Sequence, residues 1–243
     1  MTRWILVIAG ALVCAAPLLA QSPAVGHALG TKYTRDSEEY AALARQTYRV
    51  AADAVRRSAQ ELPRERWTVV VDIDETALDN SVYELERASY GLPFDPVSWN
   101  AWVFRHAAGV VPGAADFVAA VREIGGRITW ISNRDTVTRD ATRVNLRGAG
   151  LWSDDDRLCT QDQPDHSKRA RRAEVVSGTG ACAWAGVPMR VVAFVGDQMG
   201  DFPAEGESFQ DAGADAAFGR TCFLLPNAMY GDWTVRVTRK ADR

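Results

Sequence analysis

The feature that most constrains this chain is the run Trp67-Thr68-Val69-Val70-Val71, which breaks off in Asp72-Ile73-Asp74. Five apolar or β-branched residues without polar alternation suit a strand covered on both faces, and such strands belong to parallel sheets sandwiched between helices. Two similar runs follow at residues 127–132 and 190–195, and a shorter one at 221–225. Between them the apolar period changes. Residues 36–62 carry Tyr40, Leu43, Ala44, Tyr48, Ala51, Ala52 and Val55 at spacings of three and four before Pro63, and helices are also expected over 112–123, 136–147 and 167–176. Strands alternating with helices predict an α/β fold: three layers, Rossmann-like, with a mostly parallel sheet, an N-terminal helical extension and a small cap-like insertion after the first strand.

The first twenty residues are of different material from the rest. Arg3 precedes an apolar run at 4–20 and then Gln21-Ser22-Pro23, the layout of a secretory signal peptide cleaved after Ala20, with an uncleaved anchor as the alternative. Val13 before Cys14 departs from the small residue that lipidation requires, so no lipid anchor is expected. Residues 21–34 read as a flexible lead-in and 35–243 as one domain, with a polar, aromatic-rich insertion at about 80–111. The expected location is periplasmic or secreted. Cys159, Cys182 and Cys222 then remain, an odd number that permits at most one internal disulfide and otherwise suits buried, inert thiols.

Charge narrows the partners. With 28 Lys plus Arg against 31 Asp plus Glu, and no basic run longer than residues 168–172, the chain lacks the electrostatic footprint of a nucleic-acid binder.

In sheets of this kind, ligands sit outside the carboxyl ends of the strands. The residues to read are therefore Asp72 and Asp74 after the first strand, Ser132 and Asn133 after the second, and Asp197 with Asp201 after the third. Four acids in one crevice need a cation, and without convergent His or Cys that cation should be hard and oxygen-ligated, as Mg²⁺ is. A carboxylate beside it can attack phosphorus, and a second can protonate a departing alkoxide and later activate water. Burial among acids would raise the proton affinity of Asp74 and favour a low working pH. The trio Asp154-Asp155-Asp156 reads as a solvated turn, the Gly- and Ala-rich stretch 178–188 as a surface loop, and His27, His106 and His166 receive no role.

The motifs together resemble a known family. Val-Val-Val-Asp72-Ile73-Asp74-Glu75-Thr76, Ile131-Ser132-Asn133-Arg134, Lys168, and Gly196-Asp197 through Asp201-Phe202 are similar, in order, to the four motifs of the haloacid-dehalogenase (HAD) superfamily. Asp79-Asn80-Ser81, Trp99 with Trp102, Ser167-Lys168 with Arg171, and Leu225-Pro226-Asn227 through Tyr230-Gly231 with Trp233 resemble the class C acid phosphatases, the lipoprotein e group of 5′-nucleotidases. This resemblance implies an Mg²⁺-dependent phosphomonoesterase in which Asp72 is the nucleophile and Asp74 the general acid and base. It implies that Ser132, Asn133 and Lys168 bind phosphate, and that Asp72, Asp74 through its main-chain carbonyl, and Asp197 hold the metal with support from Asp201. Trp99 and Tyr230 would sandwich the base of a nucleoside monophosphate. Trp102 and Trp233 read equally well as stacking or packing residues. An aspartate at the second position also argues against the dehalogenase branch, since a halide needs no proton to leave.

Two alternatives stay open on the sequence. The same intermediate could be passed to an alcohol by a phosphotransferase, or the fold could serve a non-catalytic binding or storage role. The oligomeric state is not legible.

Overall fold

The computed structural model describes residues 23–209 and 211–235, with side chains from residue 28 onward. The leader expected at 1–20 lies outside the described residues, and among these no helix is long and apolar enough to cross a membrane. In chain order the elements are α1 (Pro23–Asp36), α2 (Glu38–Ala59), β1 (Trp67–Val71), β2 (Leu78–Asp79), α3 (Ser81–Ser89), α4 (Pro96–Phe104), β3 (Gly109–Val110), α5 (Ala114–Glu123), β4 (Arg127–Asp135), α6 (Arg139–Gly148), β5 (Arg157–Gln161), α7 (Lys168–Ser177), β6 (Arg190–Gly196) and β7 (Cys222–Leu224). Five strands form one parallel sheet in the order β5-β4-β1-β6-β7, so the first strand to leave the N-terminal helices lies at its centre.

Alternation along β1 divides the core. Val69 and Val71 join Ile128, Trp130, Ala193 and Val195 on the face covered by α2, α5 and α6. Val70 points the other way, toward Ile131, Cys159, Phe194 and the Val175 side chain of α7. Helices thus cover both faces, as the unbroken apolar strands require. Ser37 caps α2 by accepting the Tyr40 amide at 3.0 Å, and Glu38 and Glu39 in its first turn and Arg56 and Arg57 in its last complement the helix dipole.

Several expectations need correction. The stretch read as a flexible lead-in is helical from Pro23, because it docks: Thr31 and Thr34 are buried, and Gly30 lies against the backbone of Ala228. Its amphipathic signal is weak because small residues make the contact. The insertion is more than loop; α3 and α4 occupy much of it, while β2 and β3 pair antiparallel at its base. Asp95 caps α4 and Pro96 supplies its first residue, a start signal that the aromatic content of the segment obscured.

Arg157–Gln161 forms an edge strand that the sequence reading missed, its Arg-Leu-Cys-Thr-Gln being too polar to announce itself. Asp156, read as part of a solvated turn, is buried and accepts from Arg122 at 2.6 Å and from the Trp130 indole at 3.1 Å. The stretch 178–188 is likewise no simple surface loop: Cys182, Ala183 and Trp184 are buried, and the Trp184 indole donates to Thr129 Oγ1 at 3.1 Å. All three described cysteines are buried thiols without a disulfide among them.

Candidate active site

The acids of the site follow two adjacent strands, Asp72 and Asp74 after β1 and Asp197 and Asp201 after β6. Asp72 leaves β1 with its amide bonded to Val195 O at 3.0 Å, and the chain then turns through Glu75 in the left-handed region at φ 57°. Asp197 leaves the adjacent β6 directly after Gly196. Asp201 folds back from a 3₁₀ turn, Met199–Asp201, and its Oδ2 accepts the amides of Asp197 at 3.1 Å and Gln198 at 2.9 Å. A Cβ on Gly196 would lie 2.3 Å from the Asp201 Cβ, so only glycine lets that carboxylate tuck under the strand end.

One carboxylate oxygen from each of Asp72, Asp197 and Asp201 lies within 4.8 Å of the others, and all three residues are buried. Lys168, the first residue of α7, reaches across the sheet end and donates to both Asp72 Oδ1 and Asp201 Oδ1. Burial pushes Asp72 well above the usual carboxylate range against the pull of Lys168, with Asp201 and Asp197 adding to the rise. Burial and then the neighbouring Asp201 push Asp197 up to about 6. Desolvation works against charge on Lys168, yet the two carboxylates outweigh it and hold its proton above the ordinary ammonium range. One ammonium facing three carboxylates leaves the crevice short of positive charge. The donors are all hard oxygens, so the site fits a small divalent cation such as Mg²⁺.

Asp74 departs from the expected quartet of acids. Its side chain is not one of the three converging carboxylates, which leaves only its main chain for the metal role expected of it. The carboxylate instead meets Arg134, which is wholly buried and donates through Nη2 at 2.7 Å and Nε at 3.0 Å to Oδ1. The surroundings expected for Asp74, burial among like charges, are therefore replaced by a bound guanidinium.

The Ser132 hydroxyl is buried, bonds Asp74 Oδ2 at 3.3 Å and accepts the Arg134 amide at 3.1 Å, so it faces Asp74 rather than the cavity. Asn133 does face the cavity. Its Oδ1 is taken by Arg171 Nη2 at 2.6 Å, while Arg171 Nη1 holds Ser132 O at 2.5 Å, which leaves the Asn133 amide N–H group without an acceptor among the described residues. Arg171 and Arg172 are buried here, where a solvated basic face of α7 would have exposed them.

The crevice opens into a cavity of about 1570 Å³ whose walls include Asp72, Asp74, Trp99, Asn133, Lys168 and Tyr230. Trp99 stands on α4 rather than on a loop, braced edge-on by Tyr83 at 5.1 Å. Trp102 is a packing residue, buried with its indole donating to Asn80 Oδ1 at 2.9 Å. Trp233 is exposed and donates to Tyr230 O at 3.1 Å, supporting that residue from outside.

Residues that the sequence reading gave no role complete the site. Asn227 and Thr76 donate to the two oxygens of Asp197 at 2.7 and 3.3 Å, and Tyr48 of α2 fixes the first loop through Thr76 O at 2.6 Å. Arg134 and Asn227 each lie inside a motif already noticed, and that adjacency was their only signal.

Residues 19–233 match the family model described as HAD superfamily, subfamily IIIB (Acid phosphatase). Among curated proteins, Acid phosphatase 1 of Solanum lycopersicum is 29% identical over 175 residues, which is 69% of this chain; the chain spans only 59% of that relative. Among solved structures, the class C acid phosphatase of Bacillus anthracis superposes with a TM-score of 0.70 at 27% identity, covering 85% of this chain and 86% of that one. The same enzyme with tungstate bound gives 0.71 at the same identity and the same coverage. The four motifs converging at the end of one parallel sheet agree with a family match spanning nearly all of the described residues: the chain belongs to the acid phosphatases of HAD subfamily IIIB.

Proposed function

We propose that this chain is an exported, Mg²⁺-dependent acid phosphatase that hydrolyses small phosphomonoesters, nucleoside 5′-monophosphates foremost, through an aspartyl-phosphate on Asp72. The observation that carries the reading is the buried Asp72 carboxylate, bonded to Lys168 and grouped with Asp197 and Asp201 at the floor of an aromatic-walled cavity.

Asp72 attacks phosphorus with one carboxylate oxygen, the P–O bond to the leaving group breaks, and the departing alkoxide takes the proton of Asp74. Water then attacks the aspartyl-phosphate while Asp74 accepts its proton, and phosphate leaves with Asp72 restored. Lys168 and the outward Asn133 amide balance charge on the transferring group. A bound Mg²⁺, held by Asp72, Asp197 and the Asp74 main chain, with Asp201 steadying Lys168, would supply further neutralisation of phosphoryl charge. Trp99 and Tyr230 offer flat faces to a nucleobase. The tungstate complex of the B. anthracis enzyme supports an oxyanion ligand, since tungstate is a tetrahedral oxyanion like phosphate.

The test is phosphate release by protein lacking residues 1–20, with Mg²⁺ or with chelator, from AMP, nicotinamide mononucleotide, a sugar phosphate and an aryl phosphate. Metal-dependent turnover that disappears in Asp72→Asn supports the chemistry, and a preference for nucleotides supports the aromatic clamp. Absence of turnover on all four would refute the reading.

A further inference from the structure

Arg134 is the residue of the site whose chemistry the reaction above does not use. Its guanidinium is wholly buried, and its one ion pair among the described residues is with Asp74. The bonding around Asp74 is lopsided. Oδ1 accepts from Arg134 Nη2 at 2.7 Å, Arg134 Nε at 3.0 Å and Asn80 Nδ2 at 3.0 Å, which exhausts the lone pairs of a carboxylate oxygen. Among the described residues Oδ2 has only a longer share of Arg134 Nε, at 3.2 Å, and the Ser132 hydroxyl at 3.3 Å.

The donors to Oδ1 are themselves fixed. Trp102 holds Asn80 Oδ1 at 2.9 Å, which orients the Asn80 amide N–H group toward Asp74. Thr142 accepts Arg134 Nη1 at 3.2 Å, and the Trp99 ring lies against the guanidinium with its centroid 5.7 Å from the central carbon. The clamp therefore reaches from the insertion to α6 and cannot turn without breaking several buried bonds.

We propose that Arg134 is a positioning residue that fixes which oxygen of Asp74 does the proton transfer: Oδ1 is locked as a permanent acceptor, and Oδ2 carries the proton to the departing alkoxide and takes the next one from water. A proton on Oδ1 would displace an N–H donor, so the acid form of Asp74 is held with its O–H on Oδ2. Without Arg134 the carboxyl rotates and presents the proton in the wrong place, although the nucleophile and the phosphate site are untouched. The inference rests on the phosphatase reading and adds a role that the four motifs do not contain.

Leaving-group dependence tests it. An aryl phosphate releases a stabilised phenolate that needs little protonation, whereas AMP releases a basic alkoxide that does. The ratio kcat/KM reports steps up to loss of the leaving group, so it excludes the later use of Asp74 with water. With the Mg²⁺-loaded enzyme, Arg134→Gln and Arg134→Lys should lower kcat/KM on AMP about 100-fold, in the range of a misplaced general acid, and on the aryl phosphate less than about tenfold. Each preparation supplies its own ratio between substrates, so partial misfolding cancels. In an Asp74→Asn background, Arg134→Gln should cost nothing further on AMP, because the two act as one unit.

Equal losses on both substrates in both variants, or losses that multiply with Asp74→Asn, would overturn the proposal. Full activity of Asp72→Asn would instead overturn the phosphatase reading beneath it, which keeps the two failures distinct.

Discussion

Gly30 of the N-terminal helix sits so close to Ala228 that a Cβ at position 30 would lie 2.0 Å from the Ala228 carbonyl oxygen. The segment ahead of the first core helix is thereby joined to the loop that carries Tyr230 into the cavity wall. Replacing Gly30 by Ala must push that loop outward, since the contact is with backbone and cannot be relieved by a rotamer. We expect a destabilisation of about 1–3 kcal/mol, typical of overpacking. The KM for AMP should rise several-fold while that for an aryl phosphate stays nearly constant. Thermal melts and steady-state kinetics on the two substrates check this, and an unchanged AMP KM would mean that the loop does not contribute to substrate binding.

The acid cluster makes metal and protons competitors. Asp197 holds its proton up to about 6, against an ordinary value of 3.8, because of burial and Asp201. A carboxyl whose proton affinity is raised by folding stabilises the fold below its unfolded value, and this contribution is lost as pH climbs from near 4 to near 6. Metal-free protein should therefore melt at lower temperature at pH 7.5 than at pH 5.5. Added Mg²⁺ should raise the melting temperature more at the higher pH, where Asp197 is ionised and ready to bind. A larger metal shift at pH 5.5 would contradict the assignment of Asp197 as a ligand.

Lys168 is the protein's own answer to the charge of Asp72 and Asp201, with all three side chains largely buried. Lys168→Met removes one partner of a buried ion-pair network and should cost about 3–5 kcal/mol in denaturant unfolding at neutral pH. Phosphatase activity should fall by about 100- to 1,000-fold, the usual effect of deleting one group aimed at developing charge. Activity within tenfold of wild type would show that Lys168 serves the fold alone.

Trp99 and Trp102 lie three residues apart on α4 and should behave oppositely. Trp102→Phe leaves the Asn80 carbonyl without its indole partner in a buried position, so stability should drop by about 1–3 kcal/mol. Trp99→Leu, at the cavity wall, should lower the melting temperature less than Trp102→Phe does and raise the KM for AMP. If Trp99→Leu instead lowers the melting temperature as much as Trp102→Phe does, Trp99 is a packing residue and the clamp is lost as a reading.

Legibility varied with how local each signal is. The strands that flank the site are continuous apolar runs, and the motifs that end them stood out because an acid after a buried strand is costly unless used. Edge strand β5 was missed, since one side of an edge tolerates polar residues. Helix α1 was missed because its burial depends on small residues and one close backbone approach. The polar residues that hold Asp74, Asn133 and Asp197 were visible only as members of motifs, without roles, because hydrogen-bond direction has no sequence period.

By itself, the sequence determined the class of fold and the strand ends at which charge collects, and it put Asp72, Asp74, Asp197 and Asp201 in one crevice, while Lys168 entered only through the family resemblance. Periodic burial and charge next to apolar strands are properties of neighbours in the chain, and they survive in one dimension. Only the tertiary structure decided that three carboxylates converge while the Asp74 side chain turns to Arg134, that Ser132 faces inward and Asn133 outward, and that the first helix braces the aromatic wall. The Asn133 and Asp74 outcomes depend on which donors reach which oxygens across 38 and 60 residues of chain. Distance and direction of that kind exist only once the sheet has assembled.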